Sequence, residues 1–67
     1  MLFKRLLQLR TANNLTQQQV ADYLICKRQV YARYEQGINL IPVSMLVKLA
    51  KFYNVSIDYI VGLSDKP

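Results

Sequence analysis

Apolar residues recur at helical spacing from one end of this chain to the other, and no stretch alternates in the manner of a half-buried strand. Leu2, Leu6 and Leu9 are spaced by four and three residues, which predicts one face of a first helix from about Leu2 to Ala12. Only two glycines and two prolines interrupt the pattern, so the connections between helices are expected to be short. The sequence therefore predicts an all-α fold, a compact five-helix bundle that forms a single domain over residues 1–67.

Capping residues indicate where four further helices begin and end. A helix often starts after Ser, Thr or Pro, and it often ends at Gly or Asn, which tolerate a left-handed backbone. Thr16 and Gln19 have the spacing of a capping box. The predicted helices run from Thr16 to about Leu24, from Arg28 to Gln36 before Gly37, from Pro42 to the break at Asn54, and from the Ser56 cap to Gly62. The side chains expected to face inward are Val20, Ala21, Leu24, Val30, Tyr31, Tyr34, Val43, Leu46, Val47, Leu49 and Ala50.

The composition excludes several classes of protein. The chain has no histidine and one cysteine, Cys26, so it can form neither an internal disulfide nor a zinc site of the usual ligands. Its four acidic residues are scattered, which leaves no general acid–base pair. No run reaches the roughly 18 apolar residues that a membrane-spanning helix needs. We therefore expect no enzyme, no metal or other cofactor, no membrane partner and no small-molecule-binding domain.

The charge and the apolar content point to partners of other kinds. A net charge of +5 favours an acidic partner. We expect the protein to be cytoplasmic. Apolar residues make up 52% of the chain, yet a domain of about 60 residues buries only about 60% of the surface that its unfolded chain exposes. Part of the apolar surface must stay exposed or meet a partner. Because neither a disulfide nor a metal can stabilise so small a core, we expect a homodimer.

The third predicted helix carries one strongly polar face. This face holds two guanidinium groups, two amides and one small residue, namely Arg28, Gln29, Ala32, Arg33 and Gln36. In the major groove of DNA, Arg can bind guanine and Gln can bind adenine through paired hydrogen bonds. The alternative is a solvated polar face, which most surface helices have. Lys27 and Arg28 at the start of the helix oppose its dipole, and this favours a phosphate or a base nearby.

The chain resembles the Cro/repressor-type helix-turn-helix family, the XRE-type regulators, in three segments. They are LTQQQVADYL at residues 15–24, RYEQG at 33–37 and KLAKFYNVSIDYIVG at 48–62. The resemblance implies a lambda-repressor-like fold with its helix-turn-helix motif at about residues 17–36. It also implies a regulator of bacterial or phage origin, associated with the nucleoid, that binds double-stranded DNA sequence-specifically and represses transcription as a homodimer on a palindromic operator. The rival class is a protein-interaction module, such as an antitoxin whose main partner is another protein.

The resemblance also assigns roles by position. The base-reading positions are Arg28, Gln29, Ala32 and Arg33. The positions that contact the DNA backbone are Gln17, Lys27, Gln36, Asn39 and Arg10. The candidates for the dimer interface are Ile60, Val61 and Leu63, together with Tyr59, which faces either the core or the partner. Arg10 also matches one half of an ion pair with Glu35, which we expect to contribute about 0–1 kcal/mol as a surface pair.

Two residues depart from the family pattern around the turn. Ile25 stands where the family commonly has glycine, and a left-handed backbone costs such a residue about 1–2 kcal/mol. Either the turn has another geometry, or burial of Ile25 offsets the strain. Lys27 replaces the usual Ser or Thr cap of the third helix, at a cost of about 1 kcal/mol. Cys26 between them is expected to pack into the core, the alternative being an exposed, redox-sensing thiol.

Overall fold

Five helices follow one another along residues 4–67, the part of the chain that the computed structural model describes. They are α1 (Lys4–Ala12), α2 (Gln17–Leu24), α3 (Arg28–Gln36), α4 (Val43–Tyr53) and α5 (Ile57–Val61). No strand forms within these residues, so the predicted all-α, five-helix fold is confirmed. The predicted start of the first helix at Leu2 lies outside the described residues, whereas its predicted end at Ala12 is confirmed.

The predicted caps set most of these bounds. Thr16 Oγ1 accepts a hydrogen bond from the Gln19 amide at 3.1 Å, and the Gln19 side chain accepts one from the Thr16 amide at 2.8 Å. This reciprocal pair confirms the capping box at the start of α2. Ser56 caps α5 through its side-chain oxygen. The backbone is left-handed at the residues that end the last three helices, Gly37, Asn54 and Gly62.

The core lies where the inner faces of the helices meet. Its buried members are Leu6, Val20, Ala21, Leu24, Tyr31, Tyr34, Ile41, Leu49 and Ile60. The inward faces predicted for α2 and α3 are therefore confirmed, with Val30 partly buried against the core. Leu6 is fully buried and Leu9 partly buried, which confirms the part of the predicted face of α1 that the structure describes.

The first half of α4 differs from the prediction. Val43 is 71% exposed and Val47 is also exposed, so the prediction that they face inward is wrong. On α4, Leu49 is buried in the core and Leu46 packs partly against it. Val47 lies about 100° around the helix from its neighbour Leu46 and therefore points away from this contact. Pro42 is the N-cap and lies one position before the first turn, because its ψ of 145° is extended.

The first and last helices are joined by a contact that the sequence did not suggest. The guanidinium of Arg5 lies over the ring of Tyr59, 4.1 Å from its centroid. The same group donates hydrogen bonds to the carbonyl oxygens of Tyr59 and Ser64 and to the carboxylate of Asp65. Arg5 therefore holds α5 and the residues after it against α1.

Candidate nucleic-acid interface

α2 and α3 pack against each other on either side of a three-residue turn, Ile25 to Lys27. Ala21 is fully buried, as expected for the small residue that lets two helices cross closely. Tyr31 and Tyr34 fasten the inner face of α3 in the core. With its inner face fixed in this way, α3 must present its opposite face to solvent.

The outer face of α3 brings together the residues singled out in the sequence. Arg28, Gln29, Arg33 and Gln36 are exposed, and Ala32 between them is partly exposed. Within residues 4–67, neither Arg28 nor Arg33 forms an ion pair. This face is therefore a cationic surface whose side-chain donors remain available to a ligand.

Lys27 is the N-cap of α3, and its side chain makes no capping hydrogen bond. The helix begins at Arg28 as predicted, without the stabilisation that a Ser or Thr cap gives. No acidic residue lies in its first turn, so two neighbouring cations meet the positive end of the helix dipole. Each such placement costs roughly 0.3–1 kcal/mol at an exposed helix end.

Ile25 holds the turn in a strained conformation. Its φ of 58° and ψ of 49° are left-handed, so the expectation of a different turn geometry is wrong. Its side chain is 85% exposed, so the expectation that burial offsets the strain is also wrong. α2 ends here because the amides of Ile25 and Cys26 bond back to carbonyl oxygens in its last turn, and this end geometry requires a left-handed residue.

The Arg10–Glu35 ion pair is present and ties α1 to α3, but it is buried. Arg10 Nε lies 2.7 Å from Glu35 Oε2, and the Glu35 side chain is only 6% exposed. Arg10 also donates to Glu35 Oε1 and to the carbonyl oxygen of Leu15, while Gln17 Nε2 donates to Glu35 Oε1 at 3.3 Å. The hydrogen bond to Glu35 raises the pKa of Arg10, against the opposing effect of burial. Valuing this pair as a surface pair is therefore wrong, since removing one partner of a buried pair leaves a buried charge.

Two tyrosine hydroxyls lie beside this pair, and no pattern in the sequence predicted them. The hydroxyls of Tyr31 and Tyr53 are buried, and neither has a well-aligned hydrogen-bond partner within residues 4–67. Burial, followed by the nearby Glu35 carboxylate, raises the pKa of Tyr31 well above its ordinary value and that of Tyr53 to about 12. Both phenols are therefore uncharged at neutral pH.

Residues 6–60 match a protein-family model described as Helix-turn-helix. The chain belongs to the XRE-type helix-turn-helix family. This confirms the family resemblance and the lambda-repressor-like fold predicted from the sequence. No solved structure matches the chain significantly.

Three curated relatives of this helix-turn-helix chain illustrate the family. A Bacillus subtilis protein, the uncharacterized HTH-type transcriptional regulator YobD, is 44% identical over 64 residues, which are 96% of this chain and 57% of YobD. The HTH-type transcriptional activator BcrR of Enterococcus faecalis is 38% identical over 82% of this chain and 27% of BcrR. The SPbeta prophage-derived regulator YonR of Bacillus subtilis is 37% identical over 85% of this chain and 53% of YonR. This chain thus spans little more than half the length of the first of them.

The remaining predicted positions of the helix-turn-helix chain have different surroundings. Asn39 is partly exposed in the loop before α4. Among the residues assigned to a dimer interface, Ile60 is 1% exposed, so the prediction that its side chain contacts a partner is wrong: it packs inward within the monomer. Val61 also packs partly against the core, and Tyr59 lies under Arg5. Leu63, at 80% exposure, keeps a side chain free for a partner.

Cys26, in the turn of the motif, is partly buried and packs against the core. Burial raises the pKa of its thiol, which disfavours the thiolate that reacts with oxidants. Its surroundings therefore favour the structural role expected from the sequence. In a separate observation, no helix within residues 4–67 combines the length and apolar content needed to cross a membrane.

Proposed function

We propose that this chain is a sequence-specific regulator that binds double-stranded DNA by inserting α3 into the major groove. The observation that carries the proposal is the outer face of α3, where Arg28, Gln29, Ala32 and Arg33 lie together without an acidic neighbour on that face. Tyr31 and Tyr34 hold the helix in the core from the other side. The face is therefore both chemically suited to base edges and rigidly supported.

Each base-reading side chain has a chemical preference. Arg28 and Arg33 are suited to guanine, whose O6 and N7 accept two hydrogen bonds from one guanidinium. Gln29 is suited to adenine, and Ala32 leaves space for the helix to approach and can contact a thymine methyl group. A good paired contact discriminates against the wrong base by roughly 1–3 kcal/mol. Three such side chains on one helix are enough to select a short half-site.

The DNA backbone is proposed to run along both sides of this helix. Lys27 lies before the start of α3 and Gln36 at its end, while Asn39 follows in the next loop. Gln17 begins α2, where the positive end of the helix dipole favours a phosphate. Such contacts position the protein without reading the sequence, and each neutralised phosphate makes binding more sensitive to salt.

We propose further that the regulator is a repressor and that it works as a homodimer. It would occupy a bacterial or phage operator in the cytoplasm. Two copies would place their α3 helices in successive major grooves, about 34–36 Å apart, on a palindromic site. Leu63 is the strongest remaining candidate for the dimer contact because it is exposed. Occupancy of the operator then blocks access of the polymerase.

A second candidate function is a protein-interaction module such as an antitoxin. It is favoured by a group of exposed apolar side chains in the loop before α4 and at the start of that helix, namely Ile38, Leu40 and Val43. Exposed apolar groups in such number serve a protein partner better than they serve a phosphate backbone. A DNA-binding antitoxin would use both surfaces.

In-vitro selection from random DNA duplexes tests the main proposal. A palindromic consensus is expected, with half-sites one helical turn apart. The double variant Arg28→Ala/Arg33→Ala should lose the preference for that consensus while keeping its helix content by circular dichroism. A matched double variant on α4, Lys48→Ala/Lys51→Ala, removes the same charge and should keep the preference. Unchanged selection by the α3 double variant would refute base reading by α3, and failure of the wild type to enrich any duplex would favour the protein-interaction role.

A further inference from the structure

The outer side of α4 is open to solvent along the whole helix. Residues four apart share one side of a helix, and three such pairs of neighbours are exposed on α4. They form a surface that we name the α4 face: Val43, Ser44, Val47, Lys48, Lys51 and Phe52. The opposite side carries Leu49, which is buried in the core. The α4 face is therefore presented to a partner by a helix whose other side is fixed.

Half of the α4 face is apolar. Val43 is 71% exposed, and Val47 and Phe52 are exposed as well. The surface continues onto α2, where the ring centroid of Tyr23 lies 4.3 Å from that of Phe52 and its hydroxyl donates to a backbone carbonyl of α4 at 3.4 Å. In the loop before the helix, Leu40 is 87% exposed. Exposed apolar side chains grouped in this way, and bordered by polar ones, mark an interaction site.

The charges on the α4 face are both positive. They belong to Lys48 and Lys51, neither of which forms an ion pair within residues 4–67. The chain has no Asp or Glu from residue 36 to residue 57, so the helix and the loop before it carry no carboxylate. A partner with carboxylates beside its apolar groups would therefore meet attraction and no repulsion on this face.

These two features select among the possible occupants. In a twofold pair of this chain the same surface faces itself, so the lysines of two copies would meet without a carboxylate between them. A DNA backbone would neutralise the lysines and leave the valines and Phe52 without apolar contacts. An amphipathic helix that presents an apolar stripe bordered by Asp or Glu supplies a partner for both kinds of group.

We propose that the α4 face binds an acidic amphipathic helix of another protein. Apolar side chains of that helix pack on Val43, Val47 and Phe52, while its carboxylates pair with Lys48 and Lys51. The α4 face shares no residue with the outer face of α3, so the inference goes beyond DNA binding and does not require it. It rests on the second candidate function, for which it names the surface and the chemistry of the partner.

A designed peptide is the probe that tests this surface. The peptide has about 18 residues, enough to form a helix, with leucines at positions i, i+3, i+4 and i+7 and glutamates elsewhere. Its control has the same amino acids in an order that spreads the leucines around the helix. Fluorescence anisotropy should show at least about tenfold tighter binding of the amphipathic peptide. NMR shift changes in the labelled protein should concentrate on the α4 face and Tyr23.

Matched variants locate the binding. Lys48→Glu/Lys51→Glu should weaken the peptide about tenfold, since two ion pairs are replaced by repulsion. Arg28→Glu/Arg33→Glu on α3 changes the net charge by the same amount and should have a much smaller effect. Val43→Ser/Val47→Ser should also cost about tenfold, at unchanged helix content by circular dichroism, because serine and valine have similar helix propensities.

Several results would overturn the inference. Equal weakening by the α3 variant, or equal binding of the two peptides, would show that net charge alone attracts the probe. Undiminished binding to both α4 variants would place the protein-interaction site elsewhere and leave the second candidate function standing. A wild-type dimer that dissociates in Val43→Ser/Val47→Ser during sedimentation would make the face a contact between copies. Tighter binding to phosphatidylserine vesicles than to the peptide, lost in the same variant, would assign it to a membrane surface.

Discussion

Replacing Ile25 by glycine should make the domain more stable, although it removes an apolar side chain. At φ 58° and ψ 49°, an L residue is disfavoured by about 1–2 kcal/mol relative to glycine. The side chain is 85% exposed, so its removal forfeits little buried apolar area. Glycine also increases the entropy of the unfolded chain, which offsets about 0.4–1 kcal/mol of the gain. The net expectation is an increase of about 1 kcal/mol in the free energy of unfolding.

A matched variant isolates the strain. Ile38 is also exposed, at 67%, but it is not among the residues with positive φ. Ile38→Gly therefore carries the same unfolded-state penalty with no relief of strain, and it should lose about 0.4–1 kcal/mol. The difference between the two variants cancels the unfolded-state contribution and leaves the strain at Ile25.

Urea unfolding followed by far-UV circular dichroism measures this difference. With an m value near 1 kcal/mol/M, the midpoint of Ile25→Gly should rise by about 1 M at unchanged m. In thermal unfolding, the same gain should raise Tm by about 4–8 °C for a domain of this size. If Ile25→Gly proves no more stable than Ile38→Gly, Ile25 carries no strain and the argument from its backbone is refuted.

Two further predictions follow from the buried polar groups. Glu35→Ala should lower the free energy of unfolding by about 3–5 kcal/mol, because it leaves the guanidinium of Arg10 without its partner in a largely buried position. A loss below about 1 kcal/mol in urea unfolding would show instead that the pair contributes no more than a surface ion pair. The stability should also fall as pH rises above about 10, because Tyr31 and Tyr53 stay protonated in the folded state, with the pKa of Tyr53 raised to about 12, while tyrosines of the unfolded chain ionise near pH 10. Below pH 10 the stabilisation from these two tyrosines is fully present. Tyr53→Phe should reduce the loss of unfolding free energy between pH 9 and pH 11 (both about 1 unit from the ordinary tyrosine pKa). A loss equal to that of the wild type would contradict the raised pKa of Tyr53.

Helix bounds could be predicted from the sequence because their signals are local. Thr16 and Gln19 bond to each other across three residues, and Gly37 ends α3 through its own backbone. The polar face of α3 follows for the same reason, since the periodicity of a helix decides which residues share a side.

The predictions that proved wrong concern how the helices pack against one another. Val43 is exposed although its spacing predicted an inward side chain, and Ile60 is buried although the resemblance placed it at a dimer interface. Burial depends on which neighbour covers a helix face, and the periodicity of a sequence does not contain that information. The burial of the Arg10–Glu35 pair requires α1, α2 and α3 to close around it. Ile25 shows a different limit: the end of α2 demands a left-handed residue, and the sequence does not reveal that the protein accepts the strain without compensation.

The contacts by which Arg5 holds α5 and the residues after it against α1 affect how the bundle opens. Arg5 and Asp65 are 60 residues apart in sequence, so their contact closes a long loop, and closing such a loop carries an entropic cost. α5 has five residues and little helical stability of its own. We therefore expect this corner to detach more readily than the α2–α3 pair, which would expose Ile60 transiently.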